Sequence, residues 1–123
     1  MIQIDSSSPV PIYDQIKAGL RGLVAKGLLR PGDPAPSVRG LAQSLRVNPN
    51  TVARALRELS AEGFLEPRRG EGSTISASAQ RHARNGLEEL RRSLEDALEL
   101  AQRGGLSWQD IETLVQKAKR GEK

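Results

Sequence analysis

The tetrapeptide Asn48-Pro49-Asn50-Thr51 constrains this chain more than any other stretch of it. Asparagine is a strong helix N-cap, and proline is preorganised for the first helical position while being unfit for a helix interior, so a helix has to begin here. Just upstream, Val38, Leu41, Ala42 and Leu45 form an apolar stripe at helical spacing behind Ser37, whose hydroxyl is suited to capping that helix. Only Arg46 and Val47 then remain before the cap at Asn48. Two helices joined by so short a turn must cross each other.

The flanking residues complete the element. From Pro11, the apolar residues Ile12, Ile16, Leu20, Leu23 and Val24 predict a first helix that begins in a proline turn and stops at Gly27. Three prolines and a glycine between Leu28 and Pro36 predict an ordered turn or loop without a regular element. The helix opened by Asn48 buries Val52, Ala55, Leu56 and Leu59, ends at Gly63, and presents Asn50, Thr51, Ala53, Arg54 and Arg57 outward. Phe64–Pro67 and Ser73–Ser76 read as two short strands around Arg68-Arg69-Gly70-Glu71-Gly72, a hairpin with a basic tip. Residues 1–10, with Ile2 and Ile4 followed by Ser6-Ser7-Ser8-Pro9, read as an extended arm ending in a loop.

After a small, polar run at 76–80 the periodicity becomes wholly helical, which sets the boundary between a domain at 11–76 and a helical region at 77–123. Ala83, Leu87, Leu90, Leu94, Ala97 and Ala101 follow heptad spacing, widened by Leu98 and Leu100. Gly104-Gly105 ends that helix. Ser107 and Asp110 form a capping box for a last helix carrying Trp108, Ile111, Leu114, Val115 and Ala118. Two amphipathic helices on a linker cannot bury their stripes alone, and a second copy of the chain is the simplest partner. Leu87, Leu90, Leu94, Leu98, Trp108, Ile111, Leu114 and Val115 are the expected dimerisation residues.

Composition narrows the function. There is no cysteine, which removes disulfides, thiolate metal sites and cysteine nucleophiles and fits a reducing compartment. No basic leader precedes an apolar run, and no stretch approaches the roughly 18 apolar residues of a membrane span, so a cytoplasmic protein without membrane contact is expected. His82 has no acidic or cysteine companions at ligand spacing and reads as a solvated surface residue, with no metal site. Glu88-Glu89 and Glu95-Asp96 read as a solvated helix face paired with nearby arginines. No nucleophile elbow, P-loop or catalytic set is present, and neither an enzyme nor a cofactor is expected.

The formal net charge is only +4, but its distribution is uneven. No acidic residue lies between Asp33 and Glu58, a gap that holds Arg39, Arg46, Arg54 and Arg57. A capped second helix of this kind has the geometry to enter a DNA major groove. There Asn50 and Thr51 can hydrogen-bond base edges or phosphates, and Arg54 a guanine edge or a phosphate. The helix starts at Ser37 and Asn48 offer unpaired N–H groups to phosphates, Arg39 lies one turn inside the second helix, and the tip at Arg68, Arg69 and Gly70 suits a minor groove. Tyr13 reads equally as a packed ring and as a phosphate contact.

The run PSVRGLAQSLRVNPNTVARALRELSAEGFLEPRRGEGST, together with the preceding PIYDQIKAGLRGLVAKGLLRPGD, resembles the DNA-binding domain of the GntR family of bacterial regulators. The resemblance implies a mainly α fold with a small β-hairpin: an N-terminal winged helix-turn-helix followed by a two-helix C-terminal dimerisation tail. It implies a homodimeric repressor on a palindromic operator in double-stranded DNA, with contacts from Ser37, Arg39, Asn48, Asn50, Thr51, Arg54, Arg69 and Gly70. Arg57 is added on geometry. The short tail is similar to that of the YtrA-like branch, which implies control of an adjacent transporter operon. It also leaves little wall for a small-molecule effector pocket of about 300 Å³ or more. The alternative reading is a nonspecific, nucleoid-type DNA-binding or protein-interaction module.

Overall fold

The computed structural model describes residues 2–70 and 72–121; Met1 of the expected arm, Glu71 of the expected hairpin tip and residues 122–123 lie outside them. The elements run α1 (Ile12–Ala25), α2 (Val38–Leu45), α3 (Pro49–Ala61), β1 (Leu65–Arg68), β2 (Gly72–Ile75), α4 (Ala79–Arg103) and α5 (Trp108–Lys119). This is a winged helix-turn-helix followed by two helices, mainly α with one hairpin. Two compact units divide the chain, Met1–Leu87 and Glu88–Lys123.

In the first unit, α3 packs against α1, α2 and β1. Ile16, Leu20 and Val24 line the inner face of α1, and Val52, Ala55 and Leu59 that of α3, all essentially without solvent exposure. Leu56, expected on that inner face, is only partly buried. Phe64, Leu65 and Ile75 close the core from the hairpin, and Ala79 and Ala83 enter it from the first turns of α4. Burying a side chain of this kind contributes about 1.5–3 kcal/mol each before conformational entropy is subtracted.

The stops and starts have local causes. Pro11 stands at the N-cap of α1 and not in its first turn, with the Gln15 N–H donating to its carbonyl. Gly27 (φ +77°) and Gly63 (φ +82°) take the left-handed conformation that ends α1 and α3, letting the Leu28 N–H reach Leu23 O and the Phe64 N–H reach Leu59 O. Between α2 and α3 the left-handed residue is Arg46 (φ +57°), and the turn is closed by the Val47 N–H donating to Ala42 O at 3.1 Å.

The hairpin pairs Leu65 with Ile75 and Arg68 with Gly72, so both strands end one residue nearer the tip than the sequence pattern predicts. The proline-rich segment, expected to be irregular, runs beside β2. Gly32 N–H donates to Ile75 O, Ile75 N–H to Asp33 O and Ala35 N–H to Ser73 O, at 2.8–2.9 Å. A two-stranded hairpin is marginal by itself, and this third segment supplies the support it needs. Pro34 stands opposite Thr74 on the outer side, where its missing N–H costs nothing.

The arm is also more ordered than its composition suggests. Ile2 is buried against α1 at Gly19, where a β-carbon would meet Ile2 Cγ1 at 2.8 Å. The Gln15 amide holds the arm by accepting the Asp5 N–H and donating to the carbonyls of Asp5 and Val10.

In the second unit α4 ends at a glycine turn, with Gly105 at φ +113° and the Leu106 N–H donating to Ala101 O. Ser107 and Asp110 form the expected capping box of α5. Its reciprocal hydrogen bonds, from the Ser107 backbone first, hold the Asp110 carboxyl below its usual range. Ile111 is buried, whereas Leu90, Leu94, Trp108, Leu114 and Val115 are exposed.

Candidate nucleic-acid interface

The candidate interface begins at two helix starts that differ in what they leave open. At α2, the Ser37 hydroxyl accepts the Gly40 N–H at 3.0 Å, and the Val38 and Arg39 amides have no partner among the described residues. At α3, Pro49 has no N–H, Asn48 Oδ1 accepts the Asn50 N–H at 2.8 Å, and Asn48 O accepts the Thr51 N–H at 3.0 Å. All three leading positions of α3 are therefore closed. The expected open amides exist at α2 and not at α3, where an anion meets the helix dipole and side chains only.

The outer face of α3 carries Asn50, Arg54 and Arg57, all exposed, with Thr51 and Ala53 half-buried beside them. Asn50, Arg54 and Arg57 share one face because they are four and three residues apart. Arg39 is exposed in the first turn of α2, and Arg69 and Gly70 are exposed at the hairpin tip, Gly70 at φ +75°. Arg68 reaches back to the Thr74 hydroxyl at 3.5 Å.

Sequence reading missed a charged ladder between α1 and α3. The Tyr13 ring lies under the Arg54 guanidinium, whose central carbon is 3.7 Å from the ring centroid. Arg54 Nε donates to Glu58 at 2.9 Å, and Lys17 Nζ lies 2.9 Å from Glu58 and 2.6 Å from Glu62. Arg21 closes the series on Glu62. Tyr13, Lys17 and Arg21 recur every four residues on α1, as do Arg54 and Glu58 on α3 and Glu62 at its C-cap, and each direct rung joins residues 41 apart. The i, i+4 pattern on each helix is the available signal, but it does not say which two faces meet.

The electrostatics follow from these contacts. Burial works to lower the Lys17 pKa, yet hydrogen bonds to Glu62 and Glu58 raise it overall. Hydrogen bonds from Lys17 and then Arg54 hold Glu58 below the usual carboxylate range. Burial pushes Glu62 up, and Lys17 and Arg21 more than offset it. Lys17, Arg54, Glu58 and Glu62 are therefore charged at neutral pH.

His82 is placed differently from expectation, and Tyr13 takes one of its two expected roles. His82 is half-buried, with Nε2 3.3 Å from where a β-carbon on Gly63 would stand. Tyr13 is engaged through its ring face. Among the described residues, no group of three or more histidine, cysteine or acidic side chains converges as a metal site, and no helix is long and apolar enough to cross a membrane.

With this geometry in view, residues 12–75 match the family model described as bacterial regulatory proteins, gntR family. The chain belongs to the gntR family. Its first unit is accordingly the winged DNA-binding module of a transcription regulator. The HTH-type transcriptional repressor YtrA of Bacillus subtilis is 50% identical over 80 residues, which span 65% of this chain and 62% of that protein. This gntR-family chain thus covers just under two thirds of that relative's length. YtrA from Sulfolobus acidocaldarius, a GntR-family transcription factor of solved structure, is similar with a TM-score of 0.61 and 38% identity over 80% of this chain and 97% of that one. A transcriptional regulator from Oenococcus oeni matches with a TM-score of 0.70 and 26% identity, over 94% of this chain and 96% of that one, so the likeness extends to α4 and α5.

Proposed function

We propose that the chain is a sequence-specific transcription repressor that acts as a homodimer on a palindromic operator. The observation that carries this reading is the exposed outer face of α3, which begins at a capped turn and sits in a stretch without acidic residues from Asp33 to Glu58. In the major groove, Asn50, Thr51 and Arg54 face base edges, with Arg57 toward the backbone. Ser37 and Arg39 bring the open amides of α2 to a phosphate, and Asn48 contributes through its side-chain NH2, its oxygen being used in the cap. Arg69 and Gly70 enter the adjacent minor groove. Asn48 otherwise serves the helix.

Dimerisation rests on the apolar residues left in solvent along α4 and α5. Leu87, Leu90, Leu94, Trp108, Leu114 and Val115 are each 45–67% exposed, Leu98 is partly buried, and only Ile111 is covered. A second copy covers that surface and brings two α3 faces to two half-sites. A repressor of this kind works in the cytoplasm.

Gel-shift titration against duplexes selected from a random library tests the reading. Asn50→Ala and Arg54→Ala are each expected to weaken the selected duplex by about 1–3 kcal/mol while changing scrambled DNA far less. Equal, purely salt-sensitive binding of every duplex by the unaltered chain would refute it.

A further inference from the structure

The ladder ends at the one arginine of α3 best placed to read a base, and it does not leave that arginine unrestrained. Arg54 is 52% exposed, yet its guanidinium carbon sits 3.7 Å over the centre of the Tyr13 ring and its Nε is spent on Glu58. Glu58 is itself fixed, because Lys17, 10% exposed, holds its other oxygen and is held in turn by Glu62. We propose that Tyr13 and Glu58 are specificity-determining positioning residues, which hold the Arg54 guanidinium between an aromatic face and a carboxylate so that its Nη edge is the one presented to DNA.

Three consequences follow from the chemistry. The two Nη groups form a fork that matches the paired acceptors of a guanine edge, so fixing that fork selects a direction of approach. An arginine already held loses less side-chain freedom on meeting a base than one that wanders. Glu58 also offsets the charge of Arg54, which weakens its attraction for phosphates at every sequence alike and leaves base recognition as the larger share of its binding. The hydrogen bond to Glu58 further raises the Arg54 pKa, so the guanidinium stays charged while it is held.

This inference rests on the DNA-reading function proposed above, and its test separates the two. The probes are the duplex that the full chain selects from a random library, all single base-pair variants of one half-site, and a scrambled duplex. Arg54→Ala is expected to flatten discrimination at one position of the half-site by about tenfold. Glu58→Gln and Tyr13→Leu are expected to flatten the same position about threefold to tenfold, and Glu58→Gln to tighten binding of the scrambled duplex. Tyr13→Phe, which keeps the ring face, is expected to retain the original discrimination, and Glu58→Gln added to Arg54→Ala to remove no more of it.

Because Glu58→Gln also touches Lys17, thermal melts accompany each variant, and the Tyr13→Phe and Tyr13→Leu pair decides the matter if Glu58→Gln fails to fold. Equal shifts on selected and scrambled DNA, flattening at a different position, or failure of Tyr13→Phe to retain discrimination would overturn the positioning role and leave the DNA-reading function standing. A chain that selects no sequence at all would overturn both.

Discussion

At Asn48 the side-chain oxygen is committed to the Asn50 N–H, and that separates its folding role from the binding role proposed for it. Asn48→Asp keeps the cap and adds a charge favoured by the helix dipole, so urea unfolding is expected to move by no more than about 0.5 kcal/mol. The same change places a negative charge within the proposed DNA-facing surface, and gel shifts are expected to reveal clearly weaker DNA binding. Gly63 tests a different kind of residue. Gly63→Ala is expected to cost about 1–2 kcal/mol in urea unfolding, because the left-handed φ penalises any β-carbon and the His82 ring crowds this one. Gly63 as a helix stop was legible in the sequence, since the apolar period ends there. His82 above it was not, because α4 is brought back to that point only by tertiary packing.

Among the elements, the helices were readable because their apolar residues repeat with the helical period and their ends carry chemical marks such as Ser37, Asn48-Pro49 and Ser107. The strands were placed one residue out, since register comes from pairing and four-residue strands offer too little alternation to fix it. Residues 32–35 gave no strand signal because proline lacks a donor, yet they support β2. Ala35→Pro, which removes the N–H bound to Ser73 O, is expected to destabilise the hairpin by about 1–2 kcal/mol and to speed proteolysis near its tip. The α1–α3 ladder predicts a pH effect. Glu58 and Glu62 titrate lower in the folded chain than in the unfolded one, so their contribution is fully present above about pH 4.3 and is lost as pH falls through the folded values. Lys17 and Arg54, which face them together with Arg21, stay charged throughout. Urea midpoints from pH 6 to 3 are expected to fall, and Glu62→Gln to make the fall shallower.

For the whole molecule, the decisive measurement is the oligomeric state. Leu90→Asp combined with Leu94→Asp places charges on the exposed apolar side of α4 and is expected to give a monomer in sedimentation at micromolar concentration, with a folded first unit and greatly weakened affinity for two-half-site DNA. A dimer that survives this change would locate the interface elsewhere. The ladder bears on a separate matter, the exchange of parts between related regulators. A transplanted α3 carries Arg54, Glu58 and Glu62 with it, but their partners Tyr13, Lys17 and Arg21 stay behind on α1. A chimera that exchanges only the recognition helix inherits the letters of its donor without the hand that holds them steady. On the positioning role proposed above, the transferable unit of base preference in this chain is a matched pair of helix faces.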